Sequence, residues 1–171
     1  MGYGFNFECI SCDYKIRLFI GAGMRYSPQA VYYGFSDDPD KDWSVAPRDS
    51  RNLEMPMLFS LVDDEKVADF AWKLIRQGAE PTGWHWLSLY VCSTCWRLYN
   101  RFFFQLTTDG GIFEPEYWCE HCARLLEQTD FDFNAREVQL VSMYDRHLLD
   151  WHCPQCGEGG LVQSSDRFVW N

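Results

Sequence analysis

The chain lacks any apolar run near the roughly 18 residues that a membrane-crossing helix needs, so no transmembrane helix is expected. Its first residues, Met1-Gly2-Tyr3-Gly4-Phe5-Asn6, have neither the basic start nor the apolar stretch of a secretory signal. Asn6 stands where a myristoylation signal needs Ser or Thr. A soluble cytoplasmic protein is therefore expected. Catalytic signatures are also missing: there is no Gly-x-Ser-x-Gly, Walker loop, dinucleotide-binding glycine run or His-Glu-x-x-His. Positive charge is scarce. Against 25 Asp and Glu stand 15 Lys and Arg, a formal net charge of −10 with no Lys/Arg cluster. Residues 101–171 hold 5 basic and 12 acidic side chains, so most of the excess lies there. Nucleic-acid affinity rests on neutralising phosphates, so this balance opposes DNA or RNA and fits a basic partner protein better.

Aromatic carbon and paired cysteine, by contrast, are abundant. The 8 Trp, 9 Tyr and 13 Phe exceed what a small core needs, so some are expected at an interface or groove. All 8 cysteines fall in Cys-x-x-Cys pairs: Cys9/Cys12, Cys92/Cys95, Cys119/Cys122 and Cys153/Cys156. Two intervening residues let a tight turn aim both sulfurs at one point, and two such turns supply a tetrahedral four-thiolate metal centre. In a reducing compartment, paired cysteines read as metal ligands before disulfides. Two closed sites follow, with two Zn2+ expected and iron open at one of them. A catalytic zinc keeps a vacant position, so these sites argue against an enzyme. His121 lies inside a knuckle and His152 abuts Cys153, but complete sites leave them as ordinary histidines that can hydrogen-bond a sulfur.

Which pairs share a metal is less local. The third and fourth knuckles are 30 residues apart and both precede strands, which pairs Cys119/Cys122 with Cys153/Cys156, and Cys9/Cys12 with Cys92/Cys95. The rival arrangement joins Cys92/Cys95 to Cys119/Cys122 across 23 residues and closes the chain ends through Cys9/Cys12 and Cys153/Cys156. Loop-closure entropy changes by only about 0.6 kcal/mol per doubling, so strand layout must decide. Ribbon knuckles favour glycine after the second cysteine, where φ tends to be positive. Gly157 complies and Asp13 tolerates that conformation, but Trp96 and Ala123 should be strained by it or avoid it, which predicts irregular second and third knuckles.

Alternation predicts strands over 3–8 and 15–20, with Ile16, Leu18 and Ile20 on one face. Residues 34–56, rich in Asp, Ser and Pro, read as a long irregular insertion. Val67, Phe70, Ala71, Leu74 and Ile75 form one helical stripe, with Asp63, Asp64 and Glu65 at its start and Lys73, Arg76 and Gly78 at its end. Strands then enter and leave the second knuckle over 86–91 and 96–106. A short helix is expected through Leu125 and Leu126, a strand over 138–144, and a final hairpin ending at Phe168-Val169-Trp170. On the strand after Cys95, Arg97, Tyr99, Arg101 and Phe103 share one side. Such basic and aromatic alternation can stack bases and contact phosphates, or meet a protein partner.

Phe7-x-Cys9-x-x-Cys12-x-Tyr14, Gly21-x-Gly23-Met24-x-Tyr26 and Leu89-Tyr90-Val91-Cys92-x-x-Cys95 resemble segments of small bacterial zinc-ribbon proteins of unknown function. The resemblance implies a bacterial or phage-like cytoplasmic protein with structural zinc and carries no catalytic residues. Separately, the spacing of Cys119/Cys122 with Cys153-Pro154-Gln155-Cys156-Gly157 resembles rubredoxin, which would mean an iron electron-transfer site. The expected fold is α+β: two zinc-ribbon-like four-cysteine elements on antiparallel β structure with one main α-helix. Residues 1–110 form a first lobe with an insertion over about 21–86, and residues 111–171 a second, within one compact unit. The expected function is a non-catalytic module binding a partner protein, of inhibitor or immunity-like type; a nucleic-acid-binding ribbon and a rubredoxin-like redox protein are the alternatives.

Overall fold

The computed structural model describes residues 2–22, 31–32, 58–132, 138–164 and 168–170. The expected insertion over 34–56 and the residues Gly23, Met24 and Tyr26 lie outside that set. Within it, antiparallel β structure dominates. The strands are β1 (Gly2–Cys9), β2 (Lys15–Ile20), β3 (Glu80–Val91), β4 (Leu98–Thr108), β5 (Gly111–Phe113), β6 (Glu127–Asp132), β7 (Gln139–Ser142), β8 (Leu148–Leu149), β9 (Leu161–Gln163) and β10 (Phe168–Trp170). The expected main helix forms as α2 (Glu65–Arg76), preceded by a short α1 (Leu58–Leu61), and Val31–Tyr32 are helical as well among the described residues. The chain divides into two compact units. The first comprises Met1–Gly23, Leu87–Arg101 and Glu116–Asn171; the second comprises Met24–Trp86 and Phe102–Pro115. The expected boundary between residues 110 and 111 falls inside the second unit.

β1 organises the first unit. One edge pairs with β2 from Tyr3↔Ile20 to Glu8↔Lys15. The other edge takes both β9, at Cys9↔Leu161, and β10, at Gly2↔Trp170. The expected terminal hairpin is thus replaced by two short strands laid along β1. Gly4 permits this, because a Cβ there would sit inside the Phe168 ring. The second sheet has the order β5-β4-β3-β6-β7-β8. Inward residues of both sheets (Phe5, Phe7, Leu18, Leu89, Val91, Phe131 and Leu140) bury together with Cys9 and Cys153 in one apolar cluster. Phe7 and Phe131 anchor it with ring centroids 4.5 Å apart. The expected helix through Leu125 and Leu126 does not form: Leu125 bridges back to Trp118, and β6 begins at Glu127. The hairpin wins because the Cys119/Cys122 turn already reverses the chain.

The second unit contains α1 and α2. Asp64 caps α2 by accepting from the N–H groups of Lys66 (2.9 Å) and Val67 (3.3 Å), which satisfies two donors the helix leaves unpaired. The predicted stripe is only partly core. Of its members Ala71 is buried, as is Ala68 beside the stripe, whereas Phe70 keeps 51% of its surface and packs its ring against Phe113 at 5.4 Å. Phe102, Phe103 and Phe104 are all buried, with Phe103 against Trp86 at 4.6 Å.

Candidate metal centres

Each cysteine pair sits in a turn with the same backbone frame. The first cysteine donates its N–H to the carbonyl five residues on: Cys9 to Tyr14 (2.9 Å), Cys92 to Arg97 (3.1 Å), Cys119 to Arg124 (2.7 Å) and Cys153 to Glu158 (2.6 Å). In three turns the residue after the second cysteine donates back to the first: Trp96 to Cys92 (2.8 Å), Ala123 to Cys119 (2.9 Å) and Gly157 to Cys153 (2.9 Å). That closure requires a left-handed residue, and φ is 58° at Trp96, 50° at Ala123 and 80° at Gly157. Trp96 and Ala123 thus adopt the strained conformation rather than avoid it, and the expected irregularity of their knuckles is corrected to a shared frame. Left-handed backbone costs an ordinary residue about 1–2 kcal/mol, and the closed turn outweighs it. Asp13, the residue expected to tolerate positive φ, does not adopt it.

A fifth turn has this frame without cysteine. Ser142 donates its N–H to His147 (2.9 Å), Arg146 donates back to Ser142 (3.1 Å), and Arg146 has φ of 59°. Ser142 and Asp145 stand where the two cysteines would be, between β7 and β8. The Asp145 carboxylate pairs with His147 Nδ1 at 2.5 Å, which lowers the carboxyl pKa. A search by cysteine spacing passes over this turn; its signal is backbone geometry alone.

The eight thiols form two groups of four, Cys9/Cys12/Cys153/Cys156 and Cys92/Cys95/Cys119/Cys122, with sulfurs within 4.8 Å of one another in each. The expected pairing of Cys9/Cys12 with Cys92/Cys95, and of Cys119/Cys122 with Cys153/Cys156, is therefore corrected to the rival arrangement. Strand neighbours explain it. β9 pairs with the end of β1, and Ile10 donates to Gly160, so the fourth knuckle lies against the first. β3 ends at Val91 opposite Glu127, so the turn just before β6 lies beside Cys92.

The donor geometry fits a metal. Four sulfurs placed about 2.3 Å from a tetrahedral ion lie about 3.8 Å from each other. Observed separations are 3.8 Å for Cys9–Cys156 and 3.7 Å for Cys12–Cys153. In the second group they are 3.2 Å for Cys92–Cys122, 3.5 Å for Cys95–Cys119 and 3.8 Å for Cys122–Cys95. All are far longer than a disulfide bond. The thiols also resist ionising together. At Cys119, burial opposes ionisation, yet the Tyr99 hydroxyl and the Cys122 and His121 N–H groups hold the pKa down to about 6. Neighbouring Cys92, burial and the remaining sulfurs push Cys122 up to about 12. At Cys9, burial is outweighed by N–H groups led by Ser11, giving about 7. At Cys12, the Tyr14 N–H opposes a rise that burial, Cys156, Cys153 and Cys9 drive to about 12. Four thiolates in one place need a cation.

The surroundings of the two groups differ. Tyr99 places its hydroxyl 3.2 Å from Cys119 Sγ, and its own pKa rises through burial and that sulfur. Arg101 covers the Tyr99 ring at 5.0 Å and binds Glu120 at 2.6 Å. In the other group, Ser11 N–H lies 3.4 Å from Cys9 Sγ, Gln155 N–H lies 3.5 Å from Cys153 Sγ, and Cys156 is exposed. Trp151 Nε1 donates to the Trp96 carbonyl (2.8 Å) and so ties the fourth knuckle to the second. Neither His121 nor His152 joins a group; His152 stacks edge-on to Trp96 at 5.4 Å.

The predicted face of Arg97, Tyr99, Arg101 and Phe103 does not survive as a unit. Phe103 is buried with its ring against Trp86, whereas Tyr99 and Arg101 lie beside the metal group. Arg97 is exposed and, with Tyr14, Lys15, Tyr99, Glu120 and His121, lines a cleft of about 510 Å³. No helix among the described residues is long and apolar enough to cross a membrane. Comparison with protein-family models, curated proteins and solved structures gives no match, so the geometry alone assigns roles.

Proposed function

We propose that this chain is a zinc-binding, non-catalytic module of zinc-ribbon type that binds a partner protein through an acidic surface. The observation that carries this reading is the pair of four-sulfur groups at tetrahedral spacing, each complete without water or substrate. Such sites supply folding free energy rather than a Lewis acid. The resemblance to small bacterial zinc-ribbon proteins supports the same reading, with a bacterial cytoplasmic protein as what it implies. An inhibitor or immunity-like role is one form of it. The nucleic-acid alternative is weakened because Phe103 is buried and Arg101 is already engaged by Glu120.

Metal analysis of the purified chain tests the reading. Two zinc per chain, with no visible-region absorption, is the expected result. Iron in either site, with the colour of a ferric tetrathiolate, would sink the zinc assignment and favour the rubredoxin-like alternative.

A further inference from the structure

The third knuckle carries a feature that metal binding does not use. Residues 117–126 form a tight hairpin in which Leu126 donates its N–H to Tyr117 (2.8 Å) and Cys119 donates to Arg124 (2.7 Å). Alternation sends Tyr117 and Leu126 inward, 1% and 6% exposed, with Tyr117 packed on Tyr90 at 5.3 Å. The same alternation sends the bridged pair Trp118 and Leu125 outward, 55% and 47% exposed. An apolar cross-strand pair is thus held out to water by a turn whose ends are clamped at Cys119 and Cys122. Tryptophan on a rigid, preorganised element is the residue type most often found at the energetic centre of an interface.

The rim is mainly acidic. Glu116 and Glu127 stand two residues from Trp118 and Leu125 along the same faces, whereas Glu120 in the turn is paired with Arg101 and Arg124 is the basic residue beside Leu125. A divalent ion in the adjacent four-thiolate group leaves about −2 of charge there. The chain as a whole is at −10, so a second copy is repelled. Phosphates and anionic lipid are disfavoured for the same reason.

We propose that Trp118 and Leu125 form a docking surface for a partner-protein segment in which an apolar side chain is flanked by Lys or Arg. This rests on the partner-binding reading above and names its surface and the chemistry of its partner. The experiment selects random 12-residue displayed peptides on the zinc-loaded full chain and measures the recovered ones by calorimetry. The expected peptides carry basic residues beside an apolar one, and their binding weakens as salt rises. Trp118→Ala and Leu125→Ala should each weaken binding about tenfold or more. Glu116→Lys with Glu127→Lys should weaken it as well, with metal content and melting temperature unchanged in all variants. Peptides that are acidic or uncharged, binding unaffected by Trp118→Ala, or no recovered peptide at all would each overturn the proposal. Metal content of the same samples separates the failures: zinc present with no peptide removes this surface alone, whereas absent zinc removes the module reading itself.

Discussion

Ala123 is an exposed alanine held at φ of 50° by the bond it donates to Cys119. Glycine adopts that conformation without the Cβ clash, and no buried contact is lost on truncation. Ala123→Gly should therefore stabilise the metal-loaded protein by about 1 kcal/mol, a rise of about 2–4 °C in melting temperature. An unchanged or lower melting point would mean the turn is not strained. Trp96 is the poorer place for this test, because its ring also packs on His152. Tyr99 gives a second test at this scale. Tyr99→Phe keeps the ring under Arg101 but deletes the hydroxyl beside Cys119, so metal affinity of that group should fall about tenfold with the fold intact. Chelator competition on the purified variant measures it. Sequence alternation put Tyr99, Arg101 and Phe103 on one side of β4. It could not tell which side another segment would cover, and so Phe103 and Tyr99, two residues of one predicted face, have unrelated roles.

The cysteine turns were legible because their signal is local: two residues between ligands define the turn wherever the chain places it. Pairing was not legible, because it follows from β9 lying on β1 and β6 lying on β3, contacts between segments far apart in sequence. The fifth turn, at Ser142–His147, was invisible for the opposite reason, since it keeps the frame and lacks the ligands. Pairing also sets how the two groups should behave. The group made by the first and fourth knuckles includes exposed Cys156, whereas the group of the second and third has the Tyr99 hydroxyl and Arg101 about it. Exposure favours attack by chelators and thiol reagents. Metal release into excess chelator should accordingly run in two phases of equal amplitude. Cys156→Ser should remove the faster one and leave the slower rate within about twofold, because distant ligands act nearly independently. A single phase, or loss of the slower one, would show that exposure does not set lability.

For the whole molecule, charge and metal are linked through protons. Cys12, Cys95, Cys122 and Cys156 all have pKa values raised above the ordinary thiol range. At pH 7 these four are protonated, and each must give up its proton before a divalent ion can bind it. Loading both groups at pH 7 should then release at least four protons per chain, and with all eight thiols ionised against two divalent ions the formal charge goes from −10 to about −14. The sign of the pH dependence follows. Lowering the pH through about 7 and then about 6 protonates Cys9 and Cys119 as well. More protons compete with each ion, so metal affinity falls with falling pH, and falls more steeply below neutrality. Stability supplied by the metals is lost in the same direction and is full at alkaline pH. Calorimetric titration with zinc in buffers of different ionisation enthalpy counts the protons directly. A count near zero at pH 7 would mean that the thiols are already ionised without metal, contrary to the crowding of four sulfurs within 4.8 Å.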